Sequence, residues 1–111
     1  MDLKLAGKVA LITGSSRGIG LATAKALAAE GCRLMLSARS AEPLAEAAAA
    51  LRTSGVDVAA HPADVSTPEE AAGLVQAAVT AFGGIDVLIN NVGGGGRGAY
   101  SQRLVRARRG R

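Results

Sequence analysis

Val9-Ala10-Leu11-Ile12-Thr13-Gly14-Ser15-Ser16-Arg17-Gly18-Ile19-Gly20 decides the fold. Four consecutive apolar residues read as a strand buried on both faces. Three glycines follow, and then a helix predicted from about Ile19 to Glu30. Its positions Ile19, Ala22, Ala26 and Leu27 share one face, and Gly31 ends it. Each glycine suits a strand–turn–helix that cradles phosphates, for a different reason. Gly14 lets the chain turn sharply off the strand. Gly18 leaves no side chain where a phosphate approaches, and Gly20 lets the helix lie close to the sheet. The helix start would then offer unbonded N–H groups and the positive end of its dipole. Three glycines alone fit a plain tight turn equally well. The spacing is not that of a P-loop, because Ile19 stands where Gly-Lys-Ser/Thr would be required.

Working outward, the same alternation repeats. Leu34-Met35-Leu36 reads as a second strand, and Ser40 can cap a helix over about Ala41 to Thr53 with Leu44, Ala47, Ala48 and Leu51 inward. Val56 to Ala60 is a weaker strand interrupted by Asp57, as suits a sheet edge. Thr67-Pro68-Glu69-Glu70 is a strong helix start, with Thr67 as cap, Pro68 first in the helix and Glu70 completing a capping box. Leu74, Val75, Ala78, Val79 and Phe82 follow at helical spacing, Gly83-Gly84 stops the helix, and Ile85 to Ile89 is a fourth strand. The order βαβαβαβ predicts an α/β, Rossmann-type doubly wound parallel sheet, with about four strands in the order 3-2-1-4 and helices on both faces.

Composition narrows the class. Aromatic residues are 2% of the chain, Phe82 and Tyr100, so the core must be built from Val, Ile, Leu and Ala. One cysteine, Cys32, excludes an internal disulfide and a cysteine metal cluster, and beside a strand it reads as a small buried hydrophobe. His61 is the only histidine, so no metal site is expected. No apolar run reaches the length of a membrane span, and a cytoplasmic location is expected. The net charge of +4 is an average of two unlike parts: residues 1–96 carry seven bases and nine acids, net −2, whereas residues 97–111 carry six arginines and no acid. The basic character therefore belongs to the tail, and a nucleic-acid partner is not expected for the body of the chain.

Thr13-Gly14-x-x-x-Gly18-x-Gly20 resembles the cofactor fingerprint of the short-chain dehydrogenase/reductase family. Asp64-Val65 stands after the third strand, where that family places an Asp that accepts a hydrogen bond from the adenine amino group. Asn90-Asn91-Val92-Gly93 is similar to the family's Asn-Asn-Ala-Gly, with Val92 in place of Ala. The resemblance spans residues 5–95. It implies an oxidoreductase moving hydride between a nicotinamide cofactor and a small alcohol/carbonyl substrate. The implied cofactor contacts are Thr13, Gly14, Ser16, Arg17, Gly18, Ile19 and Gly20 at the loop, Arg39 after the second strand, Asp64 and Val65 at adenine, and Asn91 and Gly93 near the nicotinamide ribose.

The second strand ends in Ser37-Ala38-Arg39-Ser40, without the acid that would bind a ribose 2′-hydroxyl. A guanidinium there can pair with a 2′-phosphate, and Arg17 can approach the same group. NADP(H) is expected over NAD(H).

The family's Tyr-x-x-x-Lys pair is absent. The residue four after Tyr100 is Leu104, and Lys4, Lys8 and Lys25 all lie in the first quarter, so no catalytic residue is assigned. Residues 1–96 are expected to form a truncated NADP-binding domain lacking its C-terminal half, with an unpaired edge on the fourth strand. Residues 97–111, rich in Gly and Arg, are expected to be disordered. They read as the shifted end of a truncated coding sequence in preference to a real basic arm. Two alternatives remain open: a non-catalytic nucleotide-binding module, and a basic-tailed nucleic-acid-binding protein on a Rossmann scaffold.

Overall fold

The apolar runs become the middle of a sheet. The computed structural model describes residues 4–91 and the backbone of 104–108. Its elements are β1 (Val9–Ile12), α1 (Gly18–Ala29), β2 (Arg33–Leu36), α2 (Ala41–Arg52), β3 (Val58–Ala60), α3 (Pro68–Phe82), β4 (Gly84–Ile89) and β5 (Leu104–Arg108). The strand order is β3-β2-β1-β4-β5. The first four strands are parallel in the expected order 3-2-1-4, and Ala10 sits between Leu34 of β2 and Val87 of β4.

Alternate residues of the central strands feed two cores. Ala10, Ile12, Leu34 and Leu36 pack with Ala24 of α1 and with Leu44, Ala47, Ala48 and Leu51 of α2. Leu11 and Met35 point the other way, toward Leu74 and Ala78 of α3. Helices therefore cover both faces, which is why the strands read as unbroken apolar runs. Cys32 is buried in the first core, as expected, and its thiol faces the Leu5 carbonyl at 3.6 Å.

Four expectations need correction. The first concerns α1. Its buried residues are Gly20 and Ala24, with Leu21, Leu27 and Ala28 partly packed. Ile19 is 46% exposed, and Ala22 and Ala26 are exposed too. Nearly every residue of this helix is apolar, so its pattern does not fix a face. The close seat of Gly20 on the sheet sets the phase instead.

The second concerns helix caps. Thr67 caps α3, accepting the Glu70 N–H at 3.3 Å, with Pro68 first in the helix. The reciprocal half of the box is missing, because the Glu70 carboxylate accepts the Asp64 N–H at 2.6 Å instead. The Thr67 N–H is already taken by the Asp64 carbonyl at 3.2 Å. Ser40 occupies the cap position of α2 without a side-chain cap bond.

Third, Val75 of α3 is 44% exposed, while Leu74 and Ala78 are buried. Fourth, within the tail at 97–111 expected to be disordered, Leu104–Arg108 forms a strand antiparallel to β4, while residues 97–103 and 109–111 lie outside the described residues. It pairs Ile85 with Ala107 and Ile89 with Leu104 around a register shift between Ile85 and Leu88. The free N–H and C=O groups of an edge strand are a template for any extended segment, and counting arginines does not register that pull. The edge of β4 is therefore covered.

The α3 face can be checked directly. Leu74→Ala should lower the unfolding free energy by about 3 kcal/mol. Val75→Ala should change it by no more than about 0.5 kcal/mol. Urea denaturation of both variants measures the difference, and equal losses would refute the observed helix phase.

Candidate functional site

The carboxyl ends of the parallel strands β1 to β4 lie together at one end of the sheet, where sheets of this kind bind ligands in a crevice, and short side chains tie those ends together. Thr13, at the end of β1, is buried. Its hydroxyl donates to Asn90 Oδ1 at 3.0 Å and accepts the Asn91 N–H at 2.8 Å, while its own N–H donates to the Ile89 carbonyl at 3.1 Å. One threonine thus pins the start of the glycine loop to the segment after β4.

The loop glycines are set by contact. A methyl group added at Gly14 would come 2.8 Å from the Asn91 carbonyl oxygen. One added at Gly20 would overlap the Gly14 carbonyl and sit 2.8 Å from Asn91 Nδ2. Gly18 differs: its φ of +62° is left-handed, but the space a Cβ would enter is open. Gly14 and Gly20 are therefore required by packing within the protein, and Gly18 by its backbone and by whatever lies against it.

The N-terminus of α1 faces this opening. Arg17 precedes it in an extended conformation and makes no side-chain cap bond. The N–H groups of the first helical turn have no intrahelical carbonyl to meet. Arg17 and Arg39 are both exposed, and Ser16 is half-buried. Asn91 Oδ1 is buried and accepts no hydrogen bond from any described residue. A buried unpaired acceptor beside an open helix start is what a site for a polar ligand leaves behind when seen alone.

Asp64 lies half-buried after β3, with Val65 beside it. The Ser66 hydroxyl and N–H both bond Asp64 Oδ1, at 2.6 and 3.0 Å. The hydroxyl bond is the main cause holding this carboxyl below the ordinary aspartate range, with the N–H next and the Arg39 charge adding to them against a small opposing effect of burial. Burial pushes the Cys32 thiol up instead, helped by the charges of Glu30 and Asp86. That suits an inert core residue.

The structure thus brings Thr13, Gly14, Ser16, Arg17, Gly18, Ile19, Gly20, Arg39, Asp64, Val65 and Asn91 to one end of the sheet. Gly93 lies outside the described residues, as does Tyr100. The sequence reasoning missed Ser15 and Ser37, which are fully buried and joined to each other across the ends of β1 and β2. For Ser37 the signal available was a hydroxyl directly after a buried strand; Ser15, three residues past β1, gave no such signal. Among the described residues no cluster could hold a metal ion, and no helix is long and apolar enough to cross a membrane. A groove of about 540 Å³ between α1 and α2 shares no residue with this crevice.

Comparison with known proteins agrees with this geometry. The pattern of the short chain dehydrogenase family matches residues 8–106. D-beta-hydroxybutyrate dehydrogenase of Cupriavidus necator is 43% identical over 89 residues, which is 80% of this chain and 34% of that protein. The structure of L-sorbose reductase from Gluconobacter frateurii, complexed with NADPH and L-sorbose, superposes with a TM-score of 0.82 at 48% identity over 86% of this chain and 36% of that one. A short chain dehydrogenase/reductase from Burkholderia phymatum in complex with NAD superposes with a TM-score of 0.80 at 37% identity, over 82% and 32%. The chain spans about a third of the length of the relatives it matches.

Two outcomes test the site. Gly20→Ala should cost more than about 4 kcal/mol or prevent folding, whereas Gly18→Ala should cost about 1–2 kcal/mol for its left-handed backbone. Denaturant titration separates them. For Asp64, a carboxyl-resolved NMR titration should give a midpoint below the ordinary aspartate value, and Ser66→Ala should raise it. With the folded-state midpoint depressed, the stabilisation is complete above the ordinary value and is lost as the pH falls through the lowered one.

Proposed function

The chain belongs to the short-chain dehydrogenase family, and from that premise we propose that it supplies the NADP(H)-binding portion of an oxidoreductase acting on a small alcohol/carbonyl pair. The end of β2 carries the cofactor choice. Ser37-Ala38-Arg39-Ser40 has no acid, and Arg39 just past β2 and Arg17 in the glycine loop past β1 are both exposed. A carboxylate there would repel a 2′-phosphate, whereas a guanidinium pairs with it through two directed bonds. The NADPH complex of the 48%-identical L-sorbose reductase supports this choice. The more distant structure with NAD shows that the same frame serves either dinucleotide.

The residues fit such a ligand. The open space at Gly18 and the first N–H groups of α1 suit the pyrophosphate. Both bonds from Ser66 fall on Asp64 Oδ1, so Oδ2 can accept from the adenine amino group, with Val65 against the ring. The unpaired Asn91 Oδ1 suits a ribose hydroxyl, and Gly93 belongs to the same segment. When bound, the cofactor supplies the hydride chemistry. The protein's part is to hold and orient it.

No Tyr-x-x-x-Lys pair is present in this sequence, and we expect the chain alone to bind cofactor without turnover. Its place would be the cytoplasm, with no membrane or nucleic-acid partner.

Titration of nicotinamide fluorescence tests the proposal. NADPH should bind about tenfold more tightly than NADH, the scale of one charge-assisted bidentate contact. Arg39→Asp should reverse the order. Tighter binding of NADH by the unaltered chain would overturn the NADP(H) assignment.

A further inference from the structure

The hydroxyls of Ser15 and Ser37 have no part in the contacts assigned above, yet Ser15 is 0% and Ser37 1% exposed. Ser15 Oγ lies 2.9 Å from the Ile12 carbonyl and 3.2 Å from the Ser37 carbonyl, and it accepts the Ser37 N–H at 2.9 Å. All three backbone groups have another tie. The Ser37 N–H also donates to the Ile12 carbonyl at 3.1 Å, and the Ser37 carbonyl accepts the Ser15 N–H at 3.0 Å. The Ser15 hydroxyl therefore rescues no orphaned group. A methyl there would leave the backbone satisfied, so the unfavourable burial of an unpaired donor or acceptor does not explain it. What the hydroxyl adds is a second set of bonds that stiffens the spacing between the glycine loop and the end of β2, beside the Ser15 N–H bond to the Ser37 carbonyl that already spans it.

The row continues across the sheet. The Ser37 hydroxyl donates to the His61 carbonyl at 2.8 Å. The His61 N–H donates to the Leu36 carbonyl at 3.0 Å, and the Ala63 N–H to the Ala38 carbonyl at 2.9 Å. Arg39 follows Ala38 directly, and Arg17 stands two residues after Ser15. The two arginine-bearing segments are thus tied to one cluster of buried oxygens. Pairing of a planar guanidinium with a phosphate is directional, and a shift of an ångström is costly to it.

We infer that Ser15 and Ser37 are positioning residues that set discrimination for the cofactor's 2′-phosphate, by holding Arg39 at a fixed place relative to the glycine loop. The inference rests on the NADP(H) assignment. Neither serine touches the cofactor; both act through the segment that carries Arg39.

The full chain and its variants Ser15→Ala, Ser37→Ala, Arg39→Ala and Ser15→Ala with Arg39→Ala are titrated with NADPH and with NADH, and each is unfolded in urea. Each serine variant should weaken NADPH about tenfold and NADH less than about twofold, because only NADPH presents the 2′-phosphate. With Arg39 already replaced, adding Ser15→Ala should change NADPH binding less than about twofold, the non-additivity of residues that act as one unit. Equal weakening of both dinucleotides marks a merely structural role and overturns the inference. So does an unchanged NADPH affinity, or additive losses in the double variant. Ser37→Ala removes only the tie to β3, and it carries the test if the urea curve shows that Ser15→Ala does not fold. A wild-type chain without preference for NADPH sinks the NADP(H) assignment, and the positioning role falls with it. A wild-type preference that survives both serine variants sinks the positioning role alone.

Discussion

Helix α1 sits so close to the end of β1 that no side chain fits at their contact. The Gly14 carbonyl occupies the place where a Cβ at Gly20 would stand, and Asn91 closes the third side. This single approach sets the phase of α1, aims its free N–H groups into the crevice and fixes the point where the chain leaves the sheet. Thr13 then ties the same point to the end of β4, so the loop and the Asn90-Asn91 segment move as one body. Packing elsewhere is ordinary by comparison: aliphatic side chains on both faces of a parallel sheet, replaceable one at a time at a cost.

That hierarchy explains what could be seen from the residues alone. Strands buried on both sides announce themselves as Val9–Ile12 and Leu34–Leu36 do, and the cap at Thr67-Pro68 marks α3 plainly. The inward face of α2 was legible because Leu44 and Leu51 stand out from alanines and charges. The face of α1 was not, since a helix of Gly, Ala, Ile and Leu carries too little contrast. There the decisive information was a backbone contact between residues six apart, which periodicity does not encode. Glu70 shows the same limit at smaller scale: its spacing from Thr67 predicted a box, but the competing donor, the Asp64 N–H, comes from the loop before the helix.

The candidate site was legible in its outline because glycines and charges are conspicuous. Its supporting hydroxyls were not. Ser15 and Ser37 look like loop residues in sequence and are among the most buried polar side chains in the fold. The β5 pairing was equally hidden, since Leu104–Arg108 reads as basic tail until an open strand edge is placed beside it.

The pairing of β1 with β4 has a consequence in time. Thr13 and Asn90 are 77 positions apart in the chain, yet their bond closes the crevice. The unit β1-α1-β2-α2-β3 is complete in sequence well before β4 exists. During synthesis at about 5–20 residues per second, β1 waits on the order of several seconds with one flank open before its second neighbour arrives. Closing so long a loop is also slow in free solution, because its entropy is lost before the contacts form. The ends of β1 and β4 therefore meet only after β1, β2 and β3 have been made, and for that interval the central strand of the sheet is its exposed edge.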